Sequence, residues 1–368
     1  MLQMKENEIM RRPAYETLYD LLRLKIISGD YPYGSRLPGK RALAEEQGLS
    51  VITVAHALDL LAEEGYIAPR ERSGCYVSYL RAEDMASVRK KPGTMIPGAS
   101  APRTSSADMD GFPFHILSRT MRRVLSEQGP AILEKTPGQG LLLLRQALSR
   151  YLSRSSGIEA APGQIVLGAG AEYLYGLLAE LLGRQGVWAI EYPSYEKIDQ
   201  VYTARGLSLD RLPLAGDGLQ SEALWRTSAR VLHVSPYRSF PSDITASASK
   251  RAEYLLWGAD PGKIIIEDDY ESEFSVRRKP MAPLFVQSER ENVIYMNTFS
   301  RTISPALRIG YIILPPPLLP LYQEKAGFYS CTVPAFEQFL LPYLLEQGDL
   351  ERHIRRVRRK LKALQAKQ

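Results

Sequence analysis

Several short stretches of this 368-residue chain carry side chains whose types and spacing could do chemistry. At Ala169-Gly170-Ala171 an apolar, strand-like run gives way to a helical one. Free amides and the helix dipole at such a junction are placed to hold a phosphate. Asp268 and Tyr270 sit in the acidic run EDDYE at the end of three isoleucines, and strand ends are where α/β proteins build their sites. Ser300, Arg301 and Arg308 share the segment NTFSRTISPALR, and Tyr195 stands in EYPSYEKI. Arg301 can hold an anion, because its guanidinium stays protonated and delocalised. Near the N-terminus a different set gathers: Arg41, then Ser50 and Thr53 at a helix start, then Arg70 and Arg72 in a short basic turn.

The elements that must position these groups fall into two parts. Residues 12–80 read as three helices and a hairpin. Leu18, Leu22 and Ile26 follow helical spacing up to Gly29, and Leu43 and Ala44 belong to a second helix ending at Gly48. Ser50 caps a third that turns Val54, Ala57, Leu58 and Leu61 inward. Tyr66-Ile67-Ala68 and Cys75-Tyr76-Val77 then form two strands, which completes the layout of a winged helix-turn-helix. Prolines, glycines and small polar residues mark 81–107 as a linker. From 108 to 368 apolar strands centred on 165–167, 187–190, 231–234, 264–266, 293–296 and 311–314 alternate with helices such as 141–154, 171–183 and 246–259. Continuous Val/Ile runs of this kind suit a largely parallel, doubly wound sheet buried on both faces.

Composition narrows the function classes. No apolar run approaches bilayer length and no signal peptide opens the chain, so a cytoplasmic protein with no membrane partner is expected. Cys75 and Cys331 are far apart and lack metal-type spacing, which argues for a reducing compartment and against a zinc cluster or disulfide scaffold. Neither a glycine-rich dinucleotide loop nor a Walker phosphate loop is present. The net charge of +6 invites a nucleic-acid reading, yet residues 1–80 carry 10 basic against 11 acidic groups. Residues 81–350 hold 29 of each, and 351–368 hold 8 against 1, so the whole excess lies in the terminal segment. DNA affinity in the head must rest on placed arginines and not on a general field.

At this point whole motifs match a known family. The head, with GSRLPGKRALAEEQGLSVITVAHALDLLAEEGYI and RSGCYV, looks like a GntR-type winged helix. The body, with TPGQGLLLLRQALSRYL, EYPSYEKI, IIIEDDYESEF and NTFSRTISPALRIGYIILP, resembles a fold-type I aminotransferase. Together they resemble the MocR/GabR-type transcriptional regulators. The resemblance implies a homodimer that binds a DNA operator and a body that binds pyridoxal phosphate or another small-molecule effector. It assigns the phosphate to Ala169, Gly170, Ala171, Ser300 and Arg308. Tyr195 would stack on the pyridine ring, Asp268 would pair with its protonated nitrogen, and Tyr270 would donate to its hydroxyl. Arg41, Ser50, Thr53, Arg70 and Arg72 are the implied DNA contacts.

Four departures from the family pattern shape the expectation. Arg301 stands where the Schiff-base lysine belongs, so any pyridoxal phosphate should bind non-covalently and the protein should not be an enzyme. The family continues past RRVRRKLKAL into a small domain that supplies an arginine for the substrate carboxylate; with the chain stopping at Gln368, that lid is expected to be missing and the basic tail to present a solvated face. Pro241-Ser242-Asp243 replaces a Pro-Thr-Gly turn, and because aspartate takes a positive backbone angle less readily than glycine, a turn of different shape is expected. Val51 and Ile52 follow Ser50 where relatives place an arginine. Sequence readout then falls to thymine methyls, the wing or DNA shape. The expected function is a DNA-binding regulator whose body senses a ligand or only dimerises. The alternatives are an aminotransferase with a regulatory head and a degenerate paralogue.

Overall fold

The computed structural model describes residues 13–70, 73–81, 111–276 and 281–365. They fall into two compact units, one taking in the head with Ala246–Glu253 and Met281, the other the remainder.

In the head, α1 (Ala14–Ser28), α2 (Lys40–Gln47) and α3 (Val51–Glu63) precede the hairpin of β1 (Ile67–Arg70) and β2 (Gly74–Val77). The hairpin pairs Ile67 with Val77 and Arg70 with Gly74. Leu18, Leu22 and Ile26 of α1 meet Val54, Leu58 and Leu61 of α3 in one buried core, closed by Tyr66, Ile67 and Val77. Both α1 and α2 end on a left-handed glycine, Gly29 and Gly48, as their sequence predicts.

The body is built on an eight-stranded sheet. Its strands are β3 (Ile165–Gly168), β4 (Val187–Tyr192), β5 (Ser208–Ala215), β6 (Gly218–Leu219), β7 (Ala229–Val234), β8 (Ile264–Asp268), β9 (Val293–Thr298) and β10 (Gly310–Ile313). The order is β3-β10-β9-β8-β7-β4-β5-β6. From β9 to β5 every pairing is parallel, whereas β10 runs antiparallel to both neighbours. All six strands expected from apolar runs form. β5 and β6 are the additions: Ser-Leu-Asp-Arg-Leu-Pro-Leu-Ala is only partly buried and has no continuous apolar run to mark it.

Helices cover both faces of the sheet, so each strand sends alternate side chains into two separate cores. Tyr311 and Ile313 join Leu148, Leu152, Leu341 and Leu344, from α5 (Leu142–Ser156) and α8 (Ala335–Glu346). On the same side lie α4 (Phe114–Gln128) and α9 (Asp349–Gln365). Ile312 and Leu314 join Leu174, Leu178 and Tyr202, from α6 (Ala171–Leu182) and α7 (Glu196–Ala204).

The basic terminal segment forms an amphipathic helix that presents the solvated basic face expected of it. α9 is not left unpacked: Leu350, Ile354 and Val357 are buried in the core that α5 and α8 share, and Arg358 Nε donates to the Glu273 carbonyl at 2.6 Å. Only the other face, with Arg355, Arg356, Arg359 and Lys362, is exposed.

Candidate functional site

A cleft of about 510 Å³ opens over the C-terminal ends of the parallel strands. Residues that end β4, β7, β8 and β9, or follow them directly, line it, together with the start of α6. That is where an open α/β sheet places a ligand, because the loops diverge there. Ala171, Tyr195, Asp268, Tyr270, Ser300 and Arg308 all face this cleft, and so does Arg301. One fold thus gathers segments up to 137 residues apart, from Ala171 to Arg308.

Asp268 is buried at the end of β8 and is held from behind. Tyr175 Oη donates to Asp268 Oδ2 at 2.7 Å, and His233 Nε2 lies 3.4 Å from the same oxygen. His233 Nδ1 in turn pairs with Tyr202 Oη at 2.8 Å. Burial, then the Asp268 charge, pushes the Tyr175 hydroxyl well above its ordinary value, so it stays protonated as a donor. Nothing in the spacing of Tyr175 or His233 marked them, since they reach Asp268 only across the sheet. Nearby Glu191 is also buried and accepts from Ser239 Oγ at 2.5 Å. Desolvation raises its carboxyl to about 8 despite that bond, so it is largely neutral at pH 7.

Arg301 is bound to Glu271, its Nη2 lying 2.5 Å from Oε1. The other Glu271 oxygen faces Arg238 Nη1 at 3.5 Å, and Arg238 Nη2 reaches Asp243 at 3.1 Å. A single buried carboxylate therefore bridges two guanidiniums. Burial acts to lower the Arg238 pKa, but Glu271 and Asp243 outweigh it and raise it. Neither Arg238 nor Glu271 was singled out in the sequence, although Glu271 directly follows Tyr270.

At the phosphate-type end, Arg308 takes a left-handed backbone (φ 49°, ψ 40°) and lays its guanidinium over Gly170. A Cβ on Gly170 would stand 3.0 Å from Arg308 Cζ, and Gly170 itself has φ +83°. The positive angle favours glycine here, and a Cβ would also make the Arg308 guanidinium shift by a few tenths of an ångström. Arg308 also reaches Glu172 at 3.6 Å on the first turn of α6.

Three expected roles change in detail. The Ala169 amide is not free: it donates to Thr332 Oγ1 at 3.0 Å, and the Gly170 amide bonds the Gly168 carbonyl at 2.8 Å. The donors left for an anion are the first-turn amides of α6, which have no intrahelical acceptor. Tyr270 Oη donates to the Arg238 carbonyl at 2.5 Å, so its proton is engaged and its oxygen remains as an acceptor. Asp243 takes the left-handed angle after all, with φ +57°, and its amide closes the turn onto the Ser239 carbonyl at 2.7 Å. The ion pair to Arg238 accompanies that angle, which costs an L-residue about 1–2 kcal/mol. Tyr195 stands half-exposed at the start of α7, edge-on to Phe240. No side-chain partner of Ser300 is found among the described residues.

In the head, Arg41 is exposed on the first turn of α2 and Arg70 is exposed on the wing, its guanidinium 4.3 Å from the Tyr76 ring centre. Arg36 and Lys40 are exposed cations of the same unit that the sequence did not single out. Ser50 and Thr53 are engaged with one another: Ser50 Oγ accepts from the Thr53 amide at 3.1 Å and lies 2.8 Å from its hydroxyl. Arg72 lies outside the described residues.

Comparison with known proteins assigns both parts. Residues 14–77 match the family of bacterial regulatory proteins, gntR family. A kynurenine aminotransferase of Pyrococcus horikoshii superposes on the body with a TM-score of 0.62 at 20% identity, over 75% of this chain and 70% of that one. The chain joins a GntR helix-turn-helix domain to a body of fold-type I aminotransferase architecture. Curated transcriptional regulators align along nearly the full length of this chain. The HTH-type transcriptional regulator YdeL of Bacillus subtilis is 29% identical, covering 96% of this chain and 78% of its own. A probable rhizopine catabolism regulatory protein, MocR, of Rhizobium meliloti is also 29% identical, covering 94% and 74%. No helix among the described residues is long and apolar enough to cross a membrane.

Proposed function

We propose that this is a MocR-type transcriptional regulator that binds operator DNA as a homodimer through residues 12–80. The body, 108–368, senses a small anionic ligand held without a covalent bond. The observation that carries this reading is the Arg301–Glu271 pair inside the cleft. A catalytic aminotransferase needs a primary amine that can lose its proton and attack; a guanidinium tied to a buried carboxylate offers none.

The residues present fit pyridoxal phosphate as a non-covalent ligand. The first-turn amides of α6, Arg308 and Ser300 suit a phosphate. Tyr195 offers an exposed ring face, and buried Asp268, fixed by Tyr175, suits a protonated ring nitrogen. Bound there, the group would supply an electron-withdrawing pyridinium ring, which Asp268 keeps protonated. The chain's own residues bind and orient such a ligand, and Arg301 and Arg238 remain to meet a second acidic group on it. No catalytic step is assigned to the protein.

Full-length protein equilibrated with pyridoxal phosphate, treated with borohydride and digested should yield no modified peptide containing Arg301, while dialysis should remove whatever has bound. A reduced adduct on that peptide would overturn the non-covalent reading. Selection of duplexes from a random pool tests the regulator reading, and failure to enrich any sequence would overturn it.

A further inference from the structure

The first turn of α3 presents an apolar surface in the element that a helix-turn-helix inserts into the major groove. Ile52 is 83% exposed and Val51 45% exposed, while the next inward residues, Val54, Ala57 and Leu58, are buried. The polar side chains beside them are occupied. Ser50 and Thr53 bond each other, and the His56 ring stacks on Tyr15 of α1, with centroids 4.0 Å apart and planes 25° apart. No arginine, asparagine or glutamine stands in α3, so its leading turn lacks the bidentate donors that read guanine or adenine. Exposed cations of the same unit, Arg36, Lys40, Arg41 and Arg70, belong to α2 and the wing region. Apolar groups on the leading turn and cations elsewhere on the unit match a duplex, whose thymine methyls lie in the groove between two phosphate strands.

We infer that Val51 and Ile52 are the specificity-determining residues, and that they recognise thymine 5-methyl groups in the major groove. This inference rests on the DNA-binding reading above and goes beyond it. Direct hydrogen-bond readout by α3 is replaced by apolar contact, so the preferred site carries A·T pairs where the leading turn docks. Each methyl buried against Ile52 or Val51 contributes about fourfold in affinity, the equivalent of about 0.8 kcal/mol.

The test uses the full-length chain and four duplexes, one of them a plain-cytosine control. A consensus is first selected from a random pool. Binding is then measured to that consensus, to the same duplex with deoxyuridine for thymine, and to two in which the critical A·T pairs become G·C pairs, one bearing 5-methylcytosine and one plain cytosine. Deoxyuridine keeps every hydrogen-bonding group and loses only the methyl, so affinity should fall about fourfold per contacted position. 5-Methylcytosine restores a methyl at the same place and should recover part of the loss relative to plain cytosine. Ile52→Ala should weaken the thymine duplex and leave the deoxyuridine duplex unchanged; a residue this exposed supports no core, and circular dichroism confirms the fold. Equal affinity for thymine and deoxyuridine duplexes would overturn the methyl reading while leaving DNA binding intact. If no duplex is enriched at all, the regulator reading falls and takes this inference with it.

Discussion

Arg301→Lys places a primary amine in the cleft, but the structure makes that amine a poor nucleophile at neutral pH. Glu271 lies 2.5 Å from the Arg301 guanidinium and its side chain is only 5% exposed, so a lysine there inherits a buried carboxylate. Two unit charges about 4 Å apart attract by about 4 kcal/mol at an effective dielectric of about 20. At about 1.36 kcal/mol per unit, that is an upward pKa pull of about three units at most. Solvent access to the cleft and the opposing charge of Arg238, 3.5 Å from Glu271, reduce it to about one to two units. Arg301→Lys alone should therefore capture pyridoxal phosphate only in alkaline buffer. Arg301→Lys combined with Glu271→Gln should do so about one to two pH units lower, since glutamine fills the same space without the charge. The assay is the yellow colour of the complex across pH, followed by borohydride reduction and peptide mass. Identical pH midpoints in the two variants would refute the control exerted by Glu271. Two folded variants that neither bind pyridoxal phosphate nor form an adduct at any pH would remove the cofactor reading of Asp268, Ser300 and Arg308 altogether.

Other measurements reach different parts of the molecule. Ile354→Ala in α9 should cost about 2–4 kcal/mol and lower the urea midpoint, because Ile354 is buried in the core against α5 and α8; an unchanged midpoint would mean that the basic helix is not packed. The Glu191 carboxyl is raised to about 8, so the folded protein holds a proton that the unfolded chain releases near its ordinary value of 4.5. Its stabilising contribution is therefore fully present below about 4.5 and is lost as pH rises toward 8. Glu191→Gln should flatten that decline in urea midpoints and raise stability at pH 8, where wild-type Glu191 ionises; a curve parallel to wild type would contradict it. Arg41→Ala should lessen the salt dependence of DNA binding by about one unit of slope, as one phosphate contact releases about one counterion. For comparison, Arg355→Gln with Arg359→Gln tests the exposed basic face of α9 without disturbing its buried side, and should weaken specific and random duplexes alike.

The legibility of the fold followed burial. Strands such as Ile264–Asp268 and Val293–Thr298 are buried on both faces, so their leading positions, 264–266 and 293–296, form apolar runs that stood out, and polar residues enter only at the ends nearest the cleft. β5 is half-buried, carries Asp210, Arg211 and Pro213, and left no comparable trace. The head was readable to within a few residues because its caps are local: Gly29, Gly48 and Ser50 act on amides and carbonyls one turn away. α9 was legible only in part. Its charge was visible, but the apolar stripe of Leu350, Ile354 and Val357 has meaning only once a partner surface exists.

By itself the sequence determined which chemistry is available. Arg301 cannot act as an amine in any fold, because guanidinium delocalisation is a property of the side chain. Val51 and Ile52 likewise cannot hydrogen-bond a base wherever they lie. What only the tertiary structure decided is which groups are already spent. The Ala169 amide is taken by Thr332, 163 residues away, the Tyr270 proton by the Arg238 carbonyl, and the Arg301 charge by Glu271. Tyr175 and His233 come to stand behind Asp268 by the same route. Hydrogen bonds and ion pairs act over a few ångströms in space, and chain folding sets those distances without regard to separation in sequence. A motif can name the atoms that are capable of a role, while their partners across the sheet settle whether those atoms are free to play it.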